Sequence, residues 1–368
     1  MIFASDNTGP AHPRVMEAVL RANEGRALPY GNDPVTQAAI AGLRDLFEAP
    51  DASVQFVATG TAANALALAA LANPWDAIFC HRVAHVEEDE CGAPEFYSNA
   101  KLTLVDGAAG RMDPQALETA INTCIARGFH GAQPGPVTLT NITELGTAYT
   151  LDQIADIVTV ARRHGLPVHL DGARFANACA ALGCSPADMT WRLGIDAVSF
   201  GGTKNGCLGV EAVVMFDPAR DREVLLRRKR GGHVWSKTRY LSAQMGAYVT
   251  DGLWLDMAQA ANARMAELVA GLRSLPDAVI HEQPAANIVF VSLPRAAHQR
   301  AFAAGARYGV TGDIDNGAPD DMLRCRLVCD WSFEAADIAR ALAVWRGEAP
   351  VTTDPENRGS QRRSAADA

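Results

Sequence analysis

The feature that most limits what this chain can become is a repeated pairing of a short apolar run with an amphipathic helix. The runs are Val54–Val57, Ala77–Cys80, Leu102–Val105, Val137–Thr140, Pro167–Leu170, Ala197–Phe200 and Val210–Phe216. Most are too short for a helix, and they lack the polar alternation of a strand with one wet face. Between them lie helical patterns. Ile40, Leu43 and Phe47 recur on one face of the segment from Pro34. An Ala/Leu-rich helix ends at Leu71. Asp113-Pro114 opens another, through Ile125, with an Asp N-cap and Pro at the first helical position. A fourth runs from Asp152 to His164 and stops at Gly165. Strands buried on both faces and alternating with helices predict an α/β fold, a mainly parallel seven-stranded sheet with helices on both sides.

The pattern changes near Arg220. Arg222–Lys237 is strongly basic, and a long helical stretch runs from Leu241 to Leu272. Two strand-like runs follow, Ala286–Ser292 and Cys325–Cys329, with a helix near His298–Tyr308 between them. At 368 residues the chain has room for about two domains. We expect a large domain over 1–246, a small α+β domain over 247–348 and a disordered polar tail over 349–368.

The formal net charge of −9 argues against nucleic acid and against an anionic membrane as partners. No apolar run approaches the roughly 18 residues of a membrane helix. Met1–Gly9 has neither the basic start nor the apolar stretch of a signal peptide. The eight cysteines form no C-x-x-C pair and sit mostly among apolar residues. They read as reduced thiols of a cytoplasmic protein, with no metal implied.

Three features at strand ends carry chemistry. Thr59-Gly60-Thr61 lies between a strand and a helix, where small residues let backbone N–H groups approach a phosphate. By itself it is also an ordinary turn. Asp171 ends an apolar strand in His169-Leu170-Asp171-Gly172-Ala173-Arg174. A carboxylate there needs a cation. A pyridinium nitrogen fits, and so does a salt bridge to Arg174 or a helix N-cap. Lys204 follows another strand in Gly201-Gly202-Thr203-Lys204-Asn205, thirty-three residues after Asp171. Read alone it is a loop lysine. In this order the three match the parts of a pyridoxal-phosphate site, with a lysine nucleophile and an acidic partner for the ring nitrogen.

Further segments sharpen this. Phe3-Ala4-Ser5-Asp6-Asn7, Tyr30-Gly31-Asn32-Asp33, Gly60–Asn64, His85–Ala93, His169–Asn177 and Phe200–Gly206 together resemble the low-specificity L-threonine aldolases, within the aromatic-amino-acid β-eliminating lyase group. The segments around His85–Phe96 and Gly201–Asn205 are most similar to the pseudomonad-type enzymes, which also cleave phenylserine. The resemblance implies an aspartate-aminotransferase-like three-layer fold of type I and pyridoxal 5'-phosphate as cofactor. It implies that Lys204 carries the cofactor, Asp171 holds the ring nitrogen protonated and His85 stacks on the ring. Gly60, Thr61 and Asn64 would bind the phosphate, and Ser5, Arg174 and Arg326 the substrate carboxylate. Arg324, two residues from Arg326 on the same strand face, competes for that role. His130 would approach the substrate hydroxyl, and Asp89 the substrate side chain. Tyr30 would lie near the active site, and Lys229 and Lys237 would reach the phosphate of a neighbouring subunit in a homotetramer. The activity implied is cleavage of L-threonine, L-allo-threonine and related β-hydroxy amino acids to glycine and an aldehyde. The alternative is another enzyme of the same fold, a β-eliminating lyase or an aminotransferase. Either His85 or His130, or a water held by them, could take the hydroxyl proton.

Overall fold

The computed structural model describes residues 1–348, so the tail expected over 349–368 lies outside the described residues. The seven expected runs form the strands β1 (Ser53–Val57), β2 (Asp76–His81), β3 (Lys101–Val105), β4 (Gln133–Thr140), β5 (Val168–Gly172), β6 (Ala197–Gly201) and β7 (Glu211–Met215). They make one sheet in the order β1-β7-β6-β5-β4-β2-β3. β3, β2, β4, β5 and β6 run parallel, and β7 is antiparallel to both its neighbours. Every residue of β2, β5, β6 and β7 is buried, because helices cover both faces.

Six of the seven strands therefore point the same way, and their C-terminal ends line one edge of the sheet. The close approach of β5 and β6 there depends on Gly201. A Cβ at that position would lie 2.6 Å from the carbonyl oxygen of Ala173. Only glycine lets the chain leave β6 against the end of β5, which brings the loops after Asp171 and before Lys204 together.

The core below this edge is aromatic. Phe200 of β6 lies 5.5 Å from Phe47 and 5.4 Å from Phe175, ring centre to ring centre, and 5.8 Å from Tyr248. All four side chains are fully buried.

A second sheet is antiparallel, in the order β10-β11-β9-β8, from β8 (Val279–Ile280), β9 (Ile288–Pro294), β10 (Gly309–Thr311) and β11 (Met322–Val328). The sequence expected only its two long strands. The helices Arg295–Ala303 and Ala335–Arg346 pack beside it, and Phe3 is buried in the same cluster. The expected single helical stretch from Leu241 to Leu272 is two helices, Arg239–Val249 and Leu253–Arg273. Asp251 and Gly252 break it, with φ of 53° and 72°. Both residue types enter the left-handed region more readily than most. The second helix joins the two cores. Leu253, Trp254 and Met257 belong to the larger one, and Met265, Leu268 and Leu272 to the smaller.

Replacing Phe200 by Ala empties the middle of the aromatic cluster. We expect Phe200→Ala to lower stability by about 3–5 kcal/mol, measured by urea unfolding of the purified protein.

Candidate active site

A cavity of about 390 Å³ opens at the C-terminal edge of the large sheet. Its floor is the turn from β1 into the helix Gly60–Leu71. Thr59 caps that helix, its hydroxyl accepting the N–H of Ala62 at 3.2 Å. The N–H groups of the first turn have no partner within the helix, and the helix dipole adds positive potential there. A Cβ built on Gly60 meets nothing within 4 Å, so the space before these N–H groups is open. This is an anion cradle.

Lys204 and Asp171 line the same cavity. Burial, reinforced by the charge of Arg174, lowers the pKa of the Lys204 amine, though Asp6, Asp171 and Glu211 pull the other way. A buried amine with a depressed pKa is a nucleophile in waiting. Arg174 is held rigidly: its Nε donates to Asp6 Oδ2 at 2.7 Å and its Nη2 to Asp6 Oδ1 at 3.0 Å. Asn287, from the small-sheet region, donates to Asp6 Oδ2 at 3.1 Å. Burial alone would raise the carboxyl pKa of Asp6, but the charges of Arg174 and Lys204 outweigh it and hold it low. The alternative reading of Asp171 as an ion pair with Arg174 gives way to this, since the guanidinium is taken by Asp6.

The third wall is the segment after β2. His85 donates or accepts through Nδ1 at 2.8 Å from Glu90 Oε1, and its backbone N–H donates to Glu144 Oε1 at 2.8 Å. Asn64 Nδ2 lies 2.8 Å from Glu90 Oε1 and 2.9 Å from Asp171 Oδ2. The amide of Asn64, expected at the phosphate, is therefore committed to two carboxylates. Gly60 and Thr61 stand at the open helix N-terminus itself. The hydrogen bond to Glu90 raises the His85 pKa against the opposing effect of burial. Burial raises Glu90, and pushes Glu144 up to about 7 and Glu211 up to about 7.

Lys204, Asp171, Arg174, His85, Gly60, Thr61 and Asn64 thus meet in one cavity, as the sequence expected. Ser5 stands beside it, next to Asp6, its hydroxyl accepting the N–H of Asn7 at 3.1 Å. Arg326 donates to the Ala4 carbonyl at 3.1 Å and feels the charges of Arg174, Asp6 and Asp89. Arg324 instead stacks 4.7 Å over Phe290. Asp89 is exposed. Tyr30, Lys229 and Lys237 are exposed and do not line the cavity, and the Lys229 amine lies 5.3 Å over the Tyr30 ring. His130 is exposed just before the first residue of β4, whereas the cavity takes Thr140 from that strand's far end. Its own chain does not bring it to the site. Asp6, Glu90, Glu144 and Glu211 were not singled out from the sequence. Glu90 hides in the acidic run Glu87-Glu88-Asp89-Glu90, which reads as a solvated face.

Comparison with known proteins gives the family and the fold. The beta-eliminating lyase family model matches residues 3–295. A low specificity L-threonine aldolase of Pseudomonas aeruginosa is 40% identical over 351 residues, which cover 94% of this chain and 98% of that one. The solved threonine aldolase of Leishmania major superposes with a TM-score of 0.86 at 26% identity, covering 94% of this chain and 98% of that one. A serine palmitoyltransferase of S. paucimobilis with bound PLP shares the fold, with a TM-score of 0.70 at 18% identity over 95% of this chain and 87% of that one. Fold and cavity together define a pyridoxal-phosphate enzyme of fold type I. The chain belongs to the beta-eliminating lyase family, in its low-specificity L-threonine aldolase branch. The residues present fit the cofactor: an open helix N-terminus for its phosphate, a strand-end carboxylate for its ring nitrogen and a buried amine for its aldehyde carbon.

Two carboxyls raised from an ordinary 4.5 to about 7 leave a mark on stability. Between those values the folded protein keeps protons that the unfolded chain has lost, so stability falls as pH rises through that window. Each group accounts for roughly 3 kcal/mol of that fall. We expect the cofactor-free protein to lose stability to urea from pH 5 to pH 8. Glu144→Gln and Glu211→Gln should each flatten the decline; unchanged slopes would contradict the burial argument.

Proposed function

We propose that this chain cleaves L-threonine, L-allo-threonine and related β-hydroxy-α-amino acids, phenylserine included, to glycine and an aldehyde. One observation carries the reading: the buried amine of Lys204 shares a single cavity with Asp171, the rigidly held Arg174 and an open phosphate cradle. Bound pyridoxal phosphate supplies the sink for the electron pair released when the Cα–Cβ bond breaks. Lys204 holds the cofactor through its amine, which burial keeps ready to act as a nucleophile. Asp171 keeps a proton on the ring nitrogen. Gly60 and Thr61 receive the phosphate on backbone N–H groups, and His85 covers the ring. Arg174, with Nε and Nη2 fixed by Asp6, offers Nη1 to the substrate carboxylate, and Arg326 and Ser5 complete that clamp. A clamp of this kind would fix the orientation of the scissile bond when substrate binds.

The exposed cluster of Tyr30, Lys229 and Lys237 supports a homo-oligomer, a tetramer, in which these side chains serve a neighbouring site. Symmetric pairing would place each such site on a subunit boundary. No helix among the described residues is long and apolar enough to cross a membrane. All eight cysteines are free, which supports the cytoplasm as the compartment.

The test is a panel of L-threonine, L-allo-threonine and phenylserine with the holoenzyme. We expect glycine and the matching aldehyde in equal amounts, no activity in Lys204→Ala, and a borohydride-fixed cofactor on the peptide that contains Lys204. Pyruvate and ammonia from serine without glycine release would point to β-elimination instead.

A further inference from the structure

The group that takes the β-hydroxyl proton is open in the sequence, and His130 lies at the wrong end of its own sheet. His85 is the histidine inside the cavity, and what distinguishes it is the carboxylate behind it. The Glu90 side chain is fully buried, while the His85 side chain is about one-third exposed. Burying a carboxylate is costly unless it receives hydrogen bonds. Glu90 Oε1 meets two nitrogens, His85 Nδ1 at 2.8 Å and Asn64 Nδ2 at 2.8 Å.

We infer that Glu90 is a positioning residue: its carboxylate fixes His85 as the Nδ1–H tautomer, so that Nε2 is left as a proton acceptor in the cavity. The inference rests on the retro-aldol reading above. The tautomer follows from the contacts. With Glu90 ionised and the proton on Nε2 instead, the Nδ1 lone pair would face a carboxylate oxygen at 2.8 Å, two acceptors with nothing between them. Asn64 cannot supply the missing hydrogen. Its NH2 group already gives one proton to Glu90 and one to Asp171 Oδ2 at 2.9 Å. Turning the amide over would set its oxygen against both carboxylates. Asn64 Oδ1 and Glu90 Oε2 are both buried with no partner, so the array is short of donors. His85 Nδ1–H is the hydrogen that it can least spare.

Glu144 strengthens the placement from the other side. It takes the backbone N–H of His85, so both main chain and ring of this residue end on carboxyl groups. The charges facing His85 are Asp171 from β5 and Glu90 from its own segment, which raise its pKa, and Lys204 after β6, which lowers it. Glu144 faces it from the loop after β4. In the reaction the β-hydroxyl gives its proton to Nε2 and keeps the electron pair that becomes the carbonyl bond. The Nδ1–H···carboxylate bond behind the ring steadies the positive charge that the ring then carries. Glu90 acts only through His85 and does not touch the reacting atoms.

The experiment starts from the cofactor-free protein labelled with ¹⁵N-histidine, with His85→Asn to assign the signal. We expect Nδ1 protonated and Nε2 bare above the His85 pKa. In Glu90→Gln we expect that pKa to fall by about one pH unit, since a neutral amide replaces the anion. With cofactor and L-threonine, Glu90→Gln should lower kcat about 10–100-fold with KM unchanged, and move the acid limb of the kcat profile to lower pH. An Nε2–H tautomer in the wild type would overturn the inference even if the variant fails to fold. So would an unmoved His85 titration, or a full kcat, in Glu90→Gln. If the wild type shows the Nδ1–H tautomer but cleaves no β-hydroxy amino acid, the activity reading fails and the Glu90 placement stands.

Discussion

The side-on pair of Asp6 with Arg174 is the interaction on which the rest of the site depends. A carboxylate and a guanidinium buried at this depth lose several kcal/mol of hydration each, and removing one partner of such a pair costs about 3–5 kcal/mol. The return is geometric. Asp6 sits in the N-terminal arm, Arg174 follows β5, and Asn287, which also donates to Asp6, comes from the loop before β9. One carboxylate therefore ties the arm and the small antiparallel sheet to the strand ends of the large one. The same arm carries Phe3 into the smaller core and Asn7 into the cavity wall. The small sheet is thus fastened to the site by the group that fixes the guanidinium.

What was legible in the sequence is what backbone geometry decides. Asp171 and Lys204 could be placed because Asp171 stands at the end of β5 and Lys204 just beyond the end of β6, and a short strand buried on both faces has a definite end. The N-cap Asp113 and the stop at Gly165 were legible for the same reason: they are local. The break at Asp251-Gly252 carried a signal in its Asp-Gly pair. It is hard to hear inside an Ala/Leu/Met-rich stretch, where helix propensity favours continuation. The strands Val279–Ile280 and Gly309–Thr311 are too short to show any alternation.

Tertiary burial of carboxylates is what the sequence hides. Glu90 and Glu88 differ by two positions in one acidic run, yet one is buried and the other exposed. The helix His85–Glu88 is a single turn, and the chain turns at Asp89 to carry Glu90 under the histidine. The resemblance implies Asn64 at the phosphate, and Asn64 stands one turn into the helix that the cradle opens. At that spacing its side chain lies over the first turn, and the structure shows the neighbours it finds there are carboxylates. The basic segment reads differently as well. Arg227 pairs with Glu223, and Arg228 is buried with Nη1 on Gln55. Lys229, Arg230 and Lys237 remain exposed, so the outward positive charge is smaller and more local than the run of residues suggests.

The cavity wall carries more acid than base. Asp171, Glu90, Glu144 and Glu211 face Lys204 and Arg174, and Arg174 is already neutralised by Asp6. A pocket with that surplus, left ionised, would repel a dianionic phosphate. Burial resolves the conflict by pushing Glu144 and Glu211 to about 7, so that near neutral pH each holds a proton for part of the time. Glu211 pairs with Val57 across β1 and β7, two residues before Thr59, so it is the acid nearest in the sheet to the cradle. Its neutral form removes the repulsion there. The site balances its charge with protons in place of additional cations. That arrangement suits a reaction whose protein-side steps are proton transfers, since the same low-dielectric wall that discourages ionisation holds protons where a reacting oxygen or carbon can exchange them.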